Sequence, residues 1–207
     1  MPGRPALLIV YHSLTGGTRQ MAEAARSGAA AEAGVQVRLL QAAQARPAET
    51  PDVVFVIADG LSALAAERHG VALLLAVRER LPDWRIGPVV VAEQSRVALG
   101  DEAGHLLGAR QVVMLIGERP GLSSPDSLGI YLTHDPRPGR SDAERNCISN
   151  VRPEGLPYAQ AADKLAFLLR GALALGRSGV DLKDDSEHAT LPEPAPGTLP
   201  ASGAKTD

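Results

Sequence analysis

A short loop between an apolar segment and an expected helix contains the residues best suited to bind a ligand through backbone groups. Its sequence is Ser13-Leu-Thr-Gly-Gly-Thr18. N–H groups and hydroxyls for a ligand come from Ser13, Thr15, Gly16, Gly17 and Thr18. Free N–H groups and the helix dipole at a helix N-terminus favour a bound phosphate. The loop is therefore a candidate phosphate-binding site, although the same residues also suit a simple strand-to-helix turn.

The histidines and the cysteine do not form a metal-ligand pattern. The five histidines are scattered, with no two of them three or four residues apart. The single cysteine, Cys147, can form neither a thiolate metal site nor an intrachain disulfide. No histidine lies near Cys147 in the sequence to activate it as a nucleophile. We therefore predict no metal site, and the sequence gives little reason to expect a catalytic cysteine.

The elements around the candidate phosphate loop form one strand-helix-strand unit. Residues 6–11 are a continuous apolar run, which is typical of a strand buried on both faces. A helix is predicted from about Thr18 to Gly34, and residues 35–40 return as a strand. Prolines in residues 41–51 indicate a connector, so residues 1–50 are treated as one segment.

The rest of the chain repeats this alternation. Predicted strands occupy residues 53–58, 86–91, 112–116 and 128–133. Ser62 is expected to cap a helix, and Asp101 to cap a short helix that ends at Gly108. Pro157 begins the most regular apolar helix, which runs to about Leu175. Strands separated by helices favour an α/β fold with a Rossmann-like, doubly wound, mostly parallel sheet that helices cover on both faces.

Composition restricts the setting in which the protein works. Residues 184–207 are acidic and proline-rich and are predicted to be disordered. The net charge of -3, without a basic cluster, argues against binding to nucleic acid. No apolar run approaches the roughly 18–20 residues that span a bilayer, and the first residues lack a signal-peptide pattern. We expect a cytoplasmic protein that does not associate with membranes.

The first segment resembles flavodoxin-like proteins. The similarity lies in Leu8-Ile-Val-Tyr-His-Ser-Leu-Thr-Gly-Gly-Thr-Arg-Gln-Met-Ala22, which matches their first strand, phosphate loop and first helix. Those proteins hold the FMN phosphate in that loop, so the resemblance implies an FMN-binding electron carrier as an alternative function. It extends only over residues 7–40. The later loops that sandwich the flavin ring have no counterpart after residue 50.

A longer resemblance, over about residues 52–183, is to the small subunit of ethanolamine ammonia-lyase. Four blocks match in order: Asp52-Val-Val-Phe-Val-Ile-Ala-Asp-Gly-Leu-Ser-Ala-Leu-Ala65, Gly117-Glu-Arg-Pro-Gly-Leu-Ser-Ser-Pro-Asp-Ser-Leu-Gly129, Asp142-Ala-Glu-Arg-Asn-Cys-Ile-Ser-Asn150 and Ser178-Gly-Val-Asp-Leu-Lys183. Enzymes of this family use adenosylcobalamin to convert ethanolamine to acetaldehyde and ammonia. The resemblance implies a non-catalytic subunit that binds the corrinoid together with a large catalytic subunit. It also implies an inactive isolated chain and allows a location in a bacterial microcompartment.

The same resemblance implies three cofactor contacts, at Val97, Glu118 and Cys147. An aliphatic side chain such as Val97 can pack on the broad, mostly apolar corrin ring, and the Glu118 carboxylate can bind its amide-rich rim. Glu118 follows a buried strand, at the sheet edge where open α/β folds bind ligands. Without the resemblance, Glu118 would be interpreted as an ion-pair partner of Arg119, and Cys147 as an inert buried thiol.

Glu118 and Cys147 are expected in turns that follow central parallel strands, where they would form half of a corrinoid pocket that a second polypeptide completes. Five charged residues in the same predicted loops are expected to order the loops or to contact the large subunit. They are Arg119, Arg140, Arg145, Asp126 and Asp142.

The N-terminal segment departs from the small-subunit family, whose members normally carry a helical region before the block near Asp52. The chain therefore looks chimeric. The sequence leaves open a true fusion, a rearranged or mis-assembled gene, and an inactive remnant. Because both parts are parallel α/β units, the first two strands could extend the same sheet.

Overall fold

The computed structural model describes residues 6–11, 23, 26–27, 36–41, 49–122 and 124–183. Strands β1 (Ala6–Tyr11) and β2 (Gln36–Gln41) form a two-stranded parallel sheet, which confirms both strands predicted there. No ladder within the described residues joins them to the larger sheet. The candidate phosphate loop, residues 13–18, and the C-terminal segment, residues 184–207, lie outside the described residues.

The larger sheet has five strands in the order β4-β3-β5-β6-β7. They are β3 (Val53–Ala58), β4 (Val90–Ala92), β5 (Gln111–Gly117), β6 (Leu128–His134) and β7 (Arg145–Val151). The helices are α1 (Ala63–Glu79), α2 (Ala98–Leu106) and α3 (Tyr158–Leu175). Helices α1 and α3 pack on one face of the sheet and α2 packs on the other. The predicted α/β class is therefore confirmed.

The prediction of a mostly parallel sheet holds only at its centre. Strand β3 pairs in parallel with β4 and β5, but β6 is antiparallel to β5, and β7 is antiparallel to β6. The connection from β5 to β6 contains no helix, so the chain turns back directly and forms a hairpin. The sheet is mixed, and a parallel arrangement for β6 is wrong.

Two local predictions also need correction. Asp101 does not cap α2, because the helix begins three residues earlier, at Ala98, and Asp101 is a buried residue inside it. The strand predicted over residues 86–91 is shorter. Only Val90–Ala92 forms β4, and Ile86 makes an isolated bridge to Val53.

Other helix boundaries agree with the sequence. The Ser62 hydroxyl accepts a hydrogen bond from the Ala65 N–H at 3.2 Å, which confirms the predicted N-cap of α1. Pro157 is the N-cap of α3, and Gly176 ends that helix with a φ of 68°, a conformation that favours glycine. Gly108, the predicted end of α2, also has a positive φ, of 64°. None of the described helices combines the length and apolarity needed to cross a bilayer.

The two faces of the sheet carry unequal cores. On the α1/α3 face, Phe55, Leu115 and Leu165 belong to a large cluster of buried side chains. On the α2 face a smaller cluster includes Val56 and Met114. Each fully buried side chain of this size contributes roughly 1.5–3 kcal/mol through removal of its surface from water. The short helix α2 covers only part of its face.

Gly117, at the end of β5, allows the β3–α1 connection to approach that strand closely. A Cβ at Gly117 would lie 2.1 Å from the Ser62 carbonyl oxygen and 2.4 Å from the Asp59 carbonyl oxygen. Since backbone atoms cannot move aside cheaply, we expect Gly117→Ala to lower the free energy of unfolding by about 1–3 kcal/mol. Urea denaturation would measure this loss. Gly121→Ala is the matched control, since nothing lies within 4 Å of its added Cβ, and an equal loss in both variants would contradict the explanation.

Candidate functional site

The sheet face that carries α2 is open beside that helix. Side chains on a strand alternate between faces, so Arg145, Cys147 and Ser149 of β7 share a face. Arg145 is buried and paired with Asp101 of α2, which identifies this as the α2 face. Cys147 and Ser149 are exposed, and their Sγ and Oγ atoms are 3.4 Å apart. Helix α2 therefore covers the first part of β7 and leaves the next part exposed. We call this exposed region the open face.

Glu118 lies at one edge of the open face, directly after β5. Its Oε2 accepts a hydrogen bond from the Ser127 hydroxyl at 2.7 Å and one from the Asn150 N–H at 3.1 Å. Its side chain lies over Gly129, where an added Cβ would come within 3.1 Å of Oε1. No described residue donates a hydrogen bond to Oε1 in the structure. One carboxylate oxygen thus joins the ends of β5, β6 and β7, and the other can accept a hydrogen bond from a ligand.

A β-bulge near the end of β7 brings Asn150 to this carboxylate. The pairing of β6 with β7 shifts between Leu128 and Ile130, and Asn150 has a positive φ of 60°. A bulge bends its strand and redirects the groups beside it, and asparagine tolerates this conformation better than most residues. The hydrogen bond from the Asn150 N–H to Glu118 stabilises the distortion.

Tyr131 of β6 lies between Glu118 and Cys147. It pairs directly with Cys147 across the β6–β7 ladder, so the two side chains share the α2 face. Gly129, beneath the Glu118 carboxylate, lies two residues along β6, a spacing of roughly 7 Å in a strand. Burial, the adjacent Cys147, and then Glu118 and Asp142 raise the pKa of Tyr131 to about 12. Tyr131 was not predicted as a site residue.

Val97 approaches the same face from α2. It is the N-cap residue of the helix and is partly buried against the cluster that contains Met114, as Tyr131 is. The structure therefore brings Val97, Glu118 and Cys147 to one face of the sheet. Glu118 follows a strand as expected, whereas Cys147 lies within β7, so the prediction that it occupies a turn is wrong.

Most of the charged residues predicted in these loops form ion pairs within the domain. Arg145 pairs with Asp101 and Asp142, and Arg140 with Asp135 and Glu144. Asp126 accepts a hydrogen bond from Arg68 at 2.8 Å, and its carboxylate lies 3.3 Å from His69 Nε2. Hydrogen bonds from the Ser141 N–H and from Arg140 lower the pKa of Glu144 to about 2. These contacts support the expectation that the residues order the loops. No three His, Cys, Asp or Glu side chains in the described ranges are grouped to hold a metal ion.

A family model described as ethanolamine ammonia-lyase light chain (EutC) matches residues 30–183. The chain belongs to this family. The match begins before Asp52, so the region similar to the ethanolamine ammonia-lyase light chain also contains β2, which the sequence assigned to the flavodoxin-like segment.

Curated proteins from several bacteria are similar to this chain. The protein named ethanolamine ammonia-lyase small subunit from Azotobacter vinelandii is 61% identical to it over 142 residues, and the protein of the same name from Pseudomonas fluorescens strain Pf0-1 is 56% identical over 155 residues. A third, from Ralstonia nicotianae, is 58% identical over 142 residues. The alignments cover 68%, 74% and 68% of this chain, and 53%, 56% and 53% of the relatives. The chain thus spans about half the length of these curated relatives, and their names give no support to the FMN alternative.

The open face of this light-chain domain has the chemical character that a corrinoid requires. Val97 and Tyr131 provide apolar surface for a broad ring, and the Glu118 Oε1 atom provides an acceptor for an amide at its rim. Cys147, beside Tyr131 on the next strand, adds an exposed, polarisable thiol. The residues present therefore fit adenosylcobalamin, the cofactor that the resemblance implies.

The raised pKa of Tyr131 predicts a distinct alkaline titration. Because its folded-state pKa of about 12 exceeds the ordinary value of 10.0, the stability it contributes is complete below about pH 10 and is lost as the pH rises through about 12. We expect a tyrosine that ionises near pH 12 in the folded protein, measured by tyrosinate absorbance. This step should vanish in Tyr131→Phe and remain in Tyr158→Phe. Loss of the step in both variants, or in neither, would contradict this interpretation.

Proposed function

We propose that this domain binds adenosylcobalamin on its open face, as the small subunit of an ethanolamine ammonia-lyase whose large subunit completes the site. The complex would convert ethanolamine to acetaldehyde and ammonia. One observation carries the proposal: Val97, Glu118 and Cys147, which the family resemblance implies as cofactor contacts, lie on the same face of one sheet. Chance placement of three residues from separate segments would more readily divide them between the two faces.

Each of these residues would bind or orient the cofactor rather than react. Val97 packs against the ring, Glu118 accepts a hydrogen bond from a peripheral amide, and Cys147 makes a van der Waals contact. When bound, adenosylcobalamin supplies the radical chemistry of such enzymes. The substrate would bind in the large subunit, as the family resemblance implies.

The exposure of the face supports a second polypeptide in this role. A corrin bound to the open face alone would keep its opposite side in water. Typical cofactor sites bury most of the surface of their ligand. Binding is therefore expected to require the large subunit, and the isolated chain is expected to bind cobalamin weakly.

Co-purification would test the proposed function. The full chain is expressed with an ethanolamine ammonia-lyase large subunit, mixed with adenosylcobalamin and separated by gel filtration. We expect cobalamin absorbance to co-elute with both polypeptides, and little to elute with the chain alone. The large subunit alone is the matched control. A complex that carries no cobalamin would contradict the proposal, and a yellow chain with bound FMN would favour the electron-carrier alternative.

A further inference from the structure

Helix α2 is joined to β7 by an ion pair that the proposed function does not use. Arg145 donates a hydrogen bond from its guanidinium to the Asp101 carboxylate, and the two side chains are only 4% and 2% exposed. Arg145 also donates hydrogen bonds to Asp142 Oδ1 at 2.7 Å and to the Arg140 carbonyl at 2.8 Å. The guanidinium thus connects the helix, the strand and the loop before the strand.

The members of this pair lie next to two of the predicted cofactor contacts. Val97 precedes Asp101 by four residues, about one helical turn, so both residues are on the same side of the helix. Cys147 follows Arg145 by two residues, so both point to the same face of β7. Any change in the separation of Asp101 and Arg145 would therefore change the separation of Val97 and Cys147.

Helix α2 packs on the sheet through glycines and partly buried apolar side chains, and the one side chain that is fully buried within the helix is charged. The helix has nine residues, and its buried positions are Gly100, Asp101 and Gly104. A Cβ at Gly104 would lie 2.6 Å from Pro136 Cγ and 2.9 Å from Val112 Cβ, so the helix packs closely through this glycine. Asp101 is the one buried side chain of the helix that reaches β7. Leu99, Ala103 and Leu107 pack on the cluster that contains Met114, beneath the helix, so the ion pair is the contact that joins α2 to β7.

We propose that the Asp101–Arg145 pair is a positioning element that sets the distance between Val97 and Cys147 to match the bound corrinoid. This inference rests on the proposed function. Replacing a buried ion pair by apolar residues of similar volume often leaves stability unchanged or increases it. A role in positioning should therefore remain visible as a change in binding when stability is preserved.

The double variant Asp101→Leu/Arg145→Met separates positioning from stability. Val77→Ala is the control, since it removes buried volume from α1 on the opposite face. In the full complex with the large subunit, we expect the double variant to bind adenosylcobalamin about tenfold more weakly, or worse, which corresponds to about 1.4 kcal/mol. Val77→Ala should bind within about twofold of the parent. Equal affinity of the parent and a folded double variant would overturn the proposal.

A second measurement needs no cofactor. Cys147 is the only cysteine of the chain, so a trifluoromethyl label on its thiol reports on this region alone by fluorine NMR. We expect the label resonance to shift or broaden in the double variant and to coincide with the parent in Val77→Ala. Arg145→Lys keeps the charge but loses the forked guanidinium, so it should give a smaller shift of the label resonance. If the double variant does not fold, Arg145→Lys takes its place in this measurement.

The two measurements distinguish the possible failures. An unchanged label resonance in the double variant, or in Arg145→Lys if the double variant does not fold, overturns the positioning role whatever the cofactor does. If the parent complex binds no cobalamin while the resonance still shifts in the double variant, the proposed function fails. The role of the ion pair in setting the α2–β7 separation is then upheld.

Discussion

The single variant Arg145→Met is expected to lower the free energy of unfolding by about 3–5 kcal/mol. The change leaves the Asp101 carboxylate buried, with 2% of its side chain exposed, and without a counter-charge. It also removes the donor to the Arg140 carbonyl. Since a domain is stable by only about 5–15 kcal/mol in total, this loss would be a large part of the total. Urea denaturation with an unchanged m-value would measure it.

A partly exposed ion pair gives the matched comparison. The Arg85 side chain is 51% exposed, and its guanidinium lies 3.1 Å from Oδ1 of Asp52, which is 15% exposed and also lies 3.8 Å from the Arg110 guanidinium. Arg85→Met makes the same chemical change where water screens the charges, so we expect a loss of about 0–1 kcal/mol. If Arg145→Met lost no more than Arg85→Met, the buried pair would not hold α2 against β7 in the way we infer.

Strands with continuous apolar sequences were predictable because burial on both faces leaves no polar position in them. This applies to β3, with the sequence VVFVIA, and to the central part of β5. The chain direction of β6 was harder to predict, because its sequence alone is compatible with either direction. The connection from β5 to β6 indicates the direction, because it contains no helical pattern between Gly117 and Leu128. A connection without a helix favours a hairpin and hence an antiparallel strand.

Strand β7 was missed because its sequence, RNCISNV, looks like a polar loop. Only Arg145, Ile148 and Val151 are buried, and they are spaced three residues apart rather than two. The bulge near Asn150 breaks the alternation that normally indicates a half-buried strand. The buried arginine hides the pattern further, because a charged residue at a core position becomes understandable only once its partner is known.

Asp101 shows a related difficulty. Aspartate is a favoured N-cap, so its position before a short helix predicted a cap. Its actual partner, Arg145, is 44 residues away in the sequence. Nothing local distinguishes a capping aspartate from one that forms a buried ion pair, since the difference depends on tertiary packing.

The candidate site was only partly predictable, because the arrangement of its residues also depends on tertiary packing. Glu118 follows a buried strand, and the edge of a sheet at strand ends is a general location for ligands. Tyr131 had no such indication, because its position between Glu118 and Cys147 depends on the register of β6 with β7. Val97 and Cys147 came from the family resemblance, and the sequence alone could not place them on a common face.

The Glu118→Ala variant is expected to weaken adenosylcobalamin binding by the full complex about 10- to 100-fold. A hydrogen bond to a charged group contributes roughly 1.5–3 kcal/mol, and each tenfold change in affinity corresponds to about 1.4 kcal/mol. The variant also removes the acceptor for the Ser127 hydroxyl and the Asn150 N–H, so the bulge beside the open face loses its support. Equilibrium titration of the complex, followed by cobalamin absorbance, would measure the effect.

Two further variants decide which property of Glu118 matters. Glu118→Gln keeps an acceptor oxygen at the same position, so it should retain most of the stability and lose less than about tenfold in affinity if hydrogen bonding dominates. Glu102→Ala removes an exposed carboxylate from α2 and should bind as the parent does. If Glu118→Gln weakens cofactor binding as much as Glu118→Ala does, the negative charge of Glu118 is the required feature. If Glu118→Ala binds as tightly as Glu102→Ala, Glu118 does not contribute to cofactor binding, and the proposed contact is wrong.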